Sequence, residues 1–143
     1  MTTYIDTSAL AKWYLNEPFS DEFEAFMQSR AMADISRLTV VEFRCLIARR
    51  RRAGDFGKAM ESRVFATFER DIGNGFLRVH PVVDQYFVAA MGLIDQLVRI
   101  PLRTLDAVHL TIAQGLELEG MATADRIMAN AARALGLDVV RFY

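Results

Sequence analysis

An α/β domain with a mainly parallel central sheet flanked by helices is the fold class this sequence predicts, and three observations predict it. Short runs rich in β-branched and aromatic residues alternate one at a time with longer segments whose apolar residues recur at helical spacing, the pattern of strand-helix-strand units. Turn formers punctuate the changes between them, at Pro18, Gly54, Gly73-Asn74-Gly75, Pro81 and Gly136. The 143 residues suit one domain, spanning 1–143, with enough chain to bury a substantial core. No repeat, low-complexity tract or linker divides it.

Each element has its own signal. Thr2 to Ile5 reads as a strand, and Ser8 to Asn16 as a helix with Ala9, Leu10, Trp13 and Tyr14 apolar, ended by Pro18. Ser20 is a candidate cap for a helix carrying Asp21 and Glu22 in its first turn and Phe23, Phe26 and Met27 on its apolar side. Met32 to Ile35 is a brief second strand. Thr39-Val40-Val41-Glu42 opens a helix with the stripe Phe43, Leu46 and Ile47, which runs through the arginines to Gly54. A long helix from about Asp55 to Ile72 follows and forms a hairpin with it. Phe76 to His80 reads as a strand closed by Pro81, and Asp84 to Val98 as an apolar-rich helix. Thr104 is placed to cap a helix over Leu105 to about Leu116. Gly120 to Thr123 is a strand, Asp125 begins a helix through Leu135, and Asp138 to Phe142 is the final strand.

Composition narrows the functional classes. The 52% hydrophobic and 24% charged fractions belong to a folded chain. A net charge of −1 does not announce a nucleic-acid partner, although Arg49 to Arg52 is an unbroken arginine run. One cysteine, Cys45, excludes an intrachain disulfide and argues against a cysteine metal site; its apolar helical context predicts a buried, inert thiol. No apolar run reaches membrane-spanning length and no basic-then-apolar leader opens the chain, so a soluble cytoplasmic protein is expected.

The chemistry lies in four acids. Asp6 ends the first strand, where an open parallel sheet has its ligand crevice. Glu42, Asp106 and Asp125 also sit at strand-to-helix junctions or in first helical turns. Carboxylates gathered in one cleft repel unless a cation or protons neutralise them, and an all-oxygen ligand set suits Mg²⁺ or Mn²⁺. Each also has a structural reading. Thr39-x-x-Glu42 is the spacing of a capping box, and acids in first turns complement the helix dipole. Asp6 alone has neither a helical turn to serve nor an evident ion-pair partner.

The phrases Y-I-D-T-S-A-L, L-T-V-V-E-F, L-R-T-L-D-A-V-H-L and A-T-A-D-R-I-M-A-N-A-A-R-A-L-G-L-D-V-V, in this order across essentially the whole chain, resemble those of PIN-domain proteins, most closely the VapC-type toxins of bacterial toxin-antitoxin pairs. The resemblance implies a three-layer α/β/α domain and a metal-dependent endoribonuclease. Its catalytic and metal-binding acids would be Asp6, Glu42, Asp106 and Asp125, holding one or two Mg²⁺ or Mn²⁺ ions that activate water for in-line attack on an RNA phosphodiester. Ser8 and Thr123 match hydroxyl positions beside that site. A homodimer and a VapB-type antitoxin that covers the cleft are implied as partners, with no membrane role.

A negatively charged pocket must still attract a polyanion. At 100° per residue, Arg49 falls nearly on the face of Glu42, about 10 Å along the axis, with Arg52 near the same stripe. Both are candidate phosphate contacts, against the reading that arginines ending a helix complement its dipole. His109, on the side of Asp106, is a conceivable general acid but more simply a packing histidine; His80 carries no signal. The apolar positions from Phe56 to Phe68 read as core, or in part as a seat for a partner helix. Aspartyl-phosphate phosphohydrolases also place an aspartate after the first strand, but as D-x-D, and here the second position is Ser8. A receiver domain would need an acidic pair there and a late lysine, which are absent. The competing reading from another class is a non-catalytic PIN-like module that binds RNA or protein.

Overall fold

The structure, a computed structural model, describes residues 1–143. The elements are β1 (Thr3–Ile5), α1 (Thr7–Tyr14), α2 (Ser20–Gln28), β2 (Ala33–Ser36), α3 (Arg37–Arg52), α4 (Lys58–Gly73), β3 (Leu77–His80), α5 (Asp84–Gln96), α6 (Thr104–Gly115), β4 (Gly120–Thr123), α7 (Arg126–Ala134) and β5 (Asp138–Arg141). The five strands form one sheet in the order β3-β2-β1-β4-β5, and every pairing is parallel.

Why the sheet has this shape follows from its centre. β1 is buried on both faces, so neighbouring side chains feed opposite cores. Ile5 joins Leu10, Phe23, Phe43, Ile47 and Phe68 beneath α1 to α4. Tyr4 joins Leu93, Leu110, Ile112, Met121 and Met128 beneath α5 to α7. The result is helices, sheet and helices in three layers. On the first side Phe43 and Phe68 meet edge-on with centroids 4.7 Å apart, and Tyr14 meets Phe68 edge-on and Phe43 at a tilt. Tyr14 lies over that apolar cluster while its hydroxyl donates to Asp71 Oδ2 at 2.6 Å.

From β1 the chain steps outward through β2 to β3, then crosses back to β4 and on to β5. The winding therefore reverses between β1 and β4, and a crevice opens at the carboxyl ends of those two strands. On the outer side, Asp34 of β2 accepts from Arg78 Nε and pairs with His80 Nε2 of β3, each at 2.7 Å, which ties the third strand on.

Several boundaries differ from the sequence expectation, each for a local reason. α3 starts at Arg37, with Ser36 as its cap and Thr39 in the third position; the capping box is Ser36 with Thr39, so Glu42 has no capping duty. Ser20 is the first residue of α2 rather than its cap. Phe19 precedes it in a left-handed conformation (φ 69°), and the Ser20 hydroxyl instead accepts from Glu17 N and donates to Leu15 O. Thr104 is likewise the first residue of α6, behind Arg103. α4 begins at Lys58, because Gly54 (φ 86°) turns the chain and Asp55 is drawn to the Arg50 guanidinium. Val64 and Phe68 of the hairpin are core, with Phe56 and Phe65 packed against them. Cys45 is exposed rather than buried, since it lies off the core stripe of Phe43 and Ile47, on the part of α3 that borders open space beside Glu42. No helix is long and apolar enough to cross a membrane.

Candidate active site

The crevice at the winding reversal is a cleft of about 480 Å³ whose walls include Asp6, Glu42, Asp106, Asp125, Arg49 and Arg103. The four acids reach it from the β1–α1 junction, α3, α6 and the β4–α7 junction, so residues far apart in sequence share one surface.

Asp6 is 4% exposed and follows directly on the central strand. It does have a helical turn to serve: it caps α1, with Oδ1 accepting from Ala9 N at 3.0 Å. Oδ1 also accepts from the Ser8 hydroxyl at 2.7 Å, and Oδ2 from the Thr123 hydroxyl at 2.6 Å. Ser8 in turn accepts from Ala124 N at 2.9 Å and Thr123 from Asp125 N at 3.0 Å, which knits the end of β1 to the end of β4. Burial pushes the Asp6 carboxyl above the usual carboxylate range, against the pull of Thr123, Ser8 and Ala9.

Glu42 is half-buried. Its Oε1 accepts from Thr7 Oγ1 at 2.8 Å and is in close contact with His109 Nε2. Burial opposes ionisation of Glu42, but the bond and charge of His109, then Thr7 and Arg103, together outweigh it and hold the carboxyl below its ordinary value. Behind it, His109 Nδ1 lies 2.7 Å from Tyr4 Oη, which is 2.8 Å from Ser36 Oγ and 3.2 Å from Thr39 Oγ1. Burial raises the Tyr4 pKa far above its normal value, so the phenol keeps its proton. With Nε2–H donating to Glu42 and Nδ1 in a hydrogen bond with the Tyr4 hydroxyl, every group in this chain has a partner.

Asp106 and Asp125 have different neighbours. Asp106 Oδ2 accepts from Arg103 N at 3.2 Å, closing the first turn of α6, and from Arg103 Nε at 3.3 Å. Asp125 caps α7 through Oδ1, which accepts from Ile127 N at 2.7 Å and Met128 N at 3.1 Å; its Oδ2 accepts from Arg103 Nη2 at 3.2 Å. Structural and chemical readings of Asp6, Asp106 and Asp125 are thus compatible: one oxygen serves a helix start while the carboxylate still borders the cleft.

The donor set fits a hard divalent ion in kind, all oxygen and all carboxylate. Glu42 Oε2 and Asp106 Oδ1 accept no hydrogen bond from the protein, so each has an oxygen to offer. No three of these side chains close on one point as a preformed cage, and a guanidinium, that of Arg103, bridges two of them.

Of the arginine run, Arg49 lines the cleft and forms no ion pair, whereas Arg50 pairs with Glu17 and Asp55 and Arg51 with Glu61. Arg52 does not line the cleft; ten residues beyond Glu42 is about 80° round the helix, which carries it off the stripe. Sequence reading missed Thr7, Tyr4 and Arg103, and placed His109 on the right side without its partner. Only the phrase spacing of His109 after Asp106 hinted at it.

The model of the PIN domain matches residues 3–134 of this chain. Ribonuclease VapC46 of Mycobacterium tuberculosis (strain ATCC 25618 / H37Rv) is 32% identical over 140 residues, covering 96% of this chain and 95% of that protein. Among solved structures, Mycobacterium tuberculosis VapC20, a Sarcin-Ricin loop cleaving toxin, superposes with a TM-score of 0.73 at 15% identity, covering 91% of this chain and 95% of that one. A toxin-antitoxin complex from Klebsiella pneumoniae gives 0.66 at 17% identity, covering 99% and 98%. With the four-acid cleft at the reversal of a parallel sheet, these matches lead to one conclusion: the chain belongs to the PIN-domain family, among its VapC-type members.

Proposed function

We propose that this protein is a divalent-metal-dependent endoribonuclease and the toxin of a toxin-antitoxin pair. The observation that carries the reading is the meeting of Asp6, Glu42, Asp106 and Asp125 in one cleft at the carboxyl edge of the sheet. Mg²⁺ or Mn²⁺ held by these acids would supply Lewis acidity toward the phosphate and activated water at neutral pH. The chain's own residues set the stage for it. Ser8 and Thr123 fix the Asp6 carboxylate from both oxygens, and Thr7 with His109 holds Glu42 by Oε1, leaving Oε2 without a protein partner. Arg49, unpaired in the cleft wall, is placed to meet a backbone phosphate and so to offset the repulsion between the acids and RNA.

The 32% identity to a named ribonuclease supports RNA as substrate, and the toxin-antitoxin complex among structural relatives supports a VapB-type antitoxin as partner. A cytoplasmic site of action follows from that pairing. A homodimer has an area to bury in the exposed apolar side chains Phe87, Met91 and Ile94 along α5 and Val98 just beyond it. Sedimentation should show a dimer in the wild type and a shift toward monomer in Met91→Glu.

The activity test uses structured RNA with Mg²⁺ or Mn²⁺, comparing wild type with an Asp6→Asn variant of equal fold. Wild type should cleave, and the variant should lose on the order of a hundredfold or more. Equal cleavage by both would refute the metal site, and cleavage by neither would favour a binding module.

A further inference from the structure

Arg103 differs from every other basic residue near the cleft. It stands one residue before α6, and its guanidinium bridges two of the four acids, with Nε 3.3 Å from Asp106 Oδ2 and Nη2 3.2 Å from Asp125 Oδ2. Both distances are longer than the 2.7–2.9 Å of a tight charge-assisted bond, and the side chain is 73% exposed. The other two acids are held by hydroxyls, a backbone amide and a buried imidazole, and by no guanidinium or ammonium. The only cationic group bridging cleft carboxylates is therefore also loosely held and wet.

We infer that Arg103 is a displaceable counter-cation: it neutralises Asp106 and Asp125 until a divalent ion takes that role, and its freed guanidinium then binds an RNA phosphate at the mouth. The inference rests on the metal-dependent reading above. Asp106 keeps Oδ1 free, but Asp125 Oδ1 caps α7 and its other oxygen, Oδ2, is the one Arg103 holds, so an ion ligated there meets the guanidinium at close range and the guanidinium must leave. Arg103 can leave cheaply, because exposed ion pairs of this length hold little free energy and its charge is already largely hydrated. Its planar fork of donors then matches a phosphate as well as it matched a carboxylate. The exchange moves a positive charge from the cleft wall to the substrate path when the ion binds, so metal loading and RNA binding reinforce each other.

The test measures two affinities on the full chain. Mn²⁺ binding is followed by the electron paramagnetic resonance signal of the free ion, for wild type, Arg103→Ala, Arg103→Lys and Arg133→Ala. The last removes the same net charge from the far end of α7. Binding of a fluorescent single-stranded oligouridylate is followed by anisotropy in Ca²⁺ across a salt series. Arg103→Ala should bind Mn²⁺ roughly two- to tenfold tighter, as expected for the loss of two exposed competing pairs. It should bind the oligonucleotide more weakly, with a salt slope reduced by about one. Arg103→Lys, a point charge that cannot bridge both acids, should fall between, and Arg133→Ala should match wild type in Mn²⁺ binding. Unchanged or weaker Mn²⁺ binding in Arg103→Ala would make Arg103 a mere positioner of the acids and overturn the proposal, as would an unaltered salt slope. Mn²⁺ binding by Arg103→Ala alone would support it in its strongest form. If no variant and no wild type binds Mn²⁺, the metal reading itself fails and this one with it.

Discussion

The two walls of the cleft are built on opposite principles. On one, Asp6 and Glu42 are held by the Thr123, Ser8 and Thr7 hydroxyls and by His109, which is 3% exposed and backed by the buried Tyr4. On the other, Asp106 and Asp125 are held by helix starts and by one exposed guanidinium. Hydroxyls donated inside the fold fix the direction of these carboxylates without placing a guanidinium against them, so the first wall is held by buried hydrogen bonds. The second wall is neutralised by a group that water already surrounds. On the metal-dependent reading proposed above, the cleft would gain from having both, a fixed pair of acids and a pair whose charge can be handed over.

Breaking the first wall should give the largest effects. Asp6→Asn, which keeps the side chain's shape but removes its charge and turns one accepting oxygen into a donor, should cost the most activity. Next comes His109→Ala, which strips Glu42 and Tyr4 of their shared partner. It should lower cleavage roughly 10- to 100-fold, the range for losing a group that orients a ligand. It should also cost about 1–3 kcal/mol of stability by leaving buried polar atoms unpaired. Tyr4→Phe, which removes only the far end of the chain, should show a milder version of both in denaturant melts and cleavage assays. Intact activity in His109→Ala would mean the first wall does not depend on its buried relay.

The outer edge of the cleft should respond more weakly. Arg49→Ala should leave metal affinity nearly unchanged and lower the salt slope of RNA binding by about one; the same slope as wild type would remove Arg49 from the phosphate path. Arg52→Ala is expected to change nothing measurable in the same titration, because its side chain lies off the cleft-facing stripe. A matched loss in both would mean that the arginines act as a diffuse charge rather than through one placed side chain.

Much of this was legible in the residues. Strand and helix alternate because β-branched runs and 3.6-residue apolar stripes alternate, and all five strands fall within a residue or two of where pattern puts them. The acids were legible by position, since Asp6, Asp106 and Asp125 each stand where a strand ends or a helix starts. Cap identities were not, because Ser20, Thr39 and Thr104 are competent capping residues whose real roles depend on how the preceding loop enters the helix. Cys45 misled for a similar reason: its apolar neighbours in sequence face inward while it faces the cleft.

By itself the sequence determined the layered α/β fold, the four candidate acids and the helical phase that sends Arg49 toward Glu42, because these depend on short-range periodicity and on the order of elements. Only the tertiary structure decided who holds each acid. His109 meets Glu42 across 67 positions and Tyr4 across 105, and Arg103 reaches Asp125 across 22. Such contacts exist because parallel strands β1 and β4, remote in the chain, must lie side by side to bury both their faces, which brings the ends of their loops into one crevice.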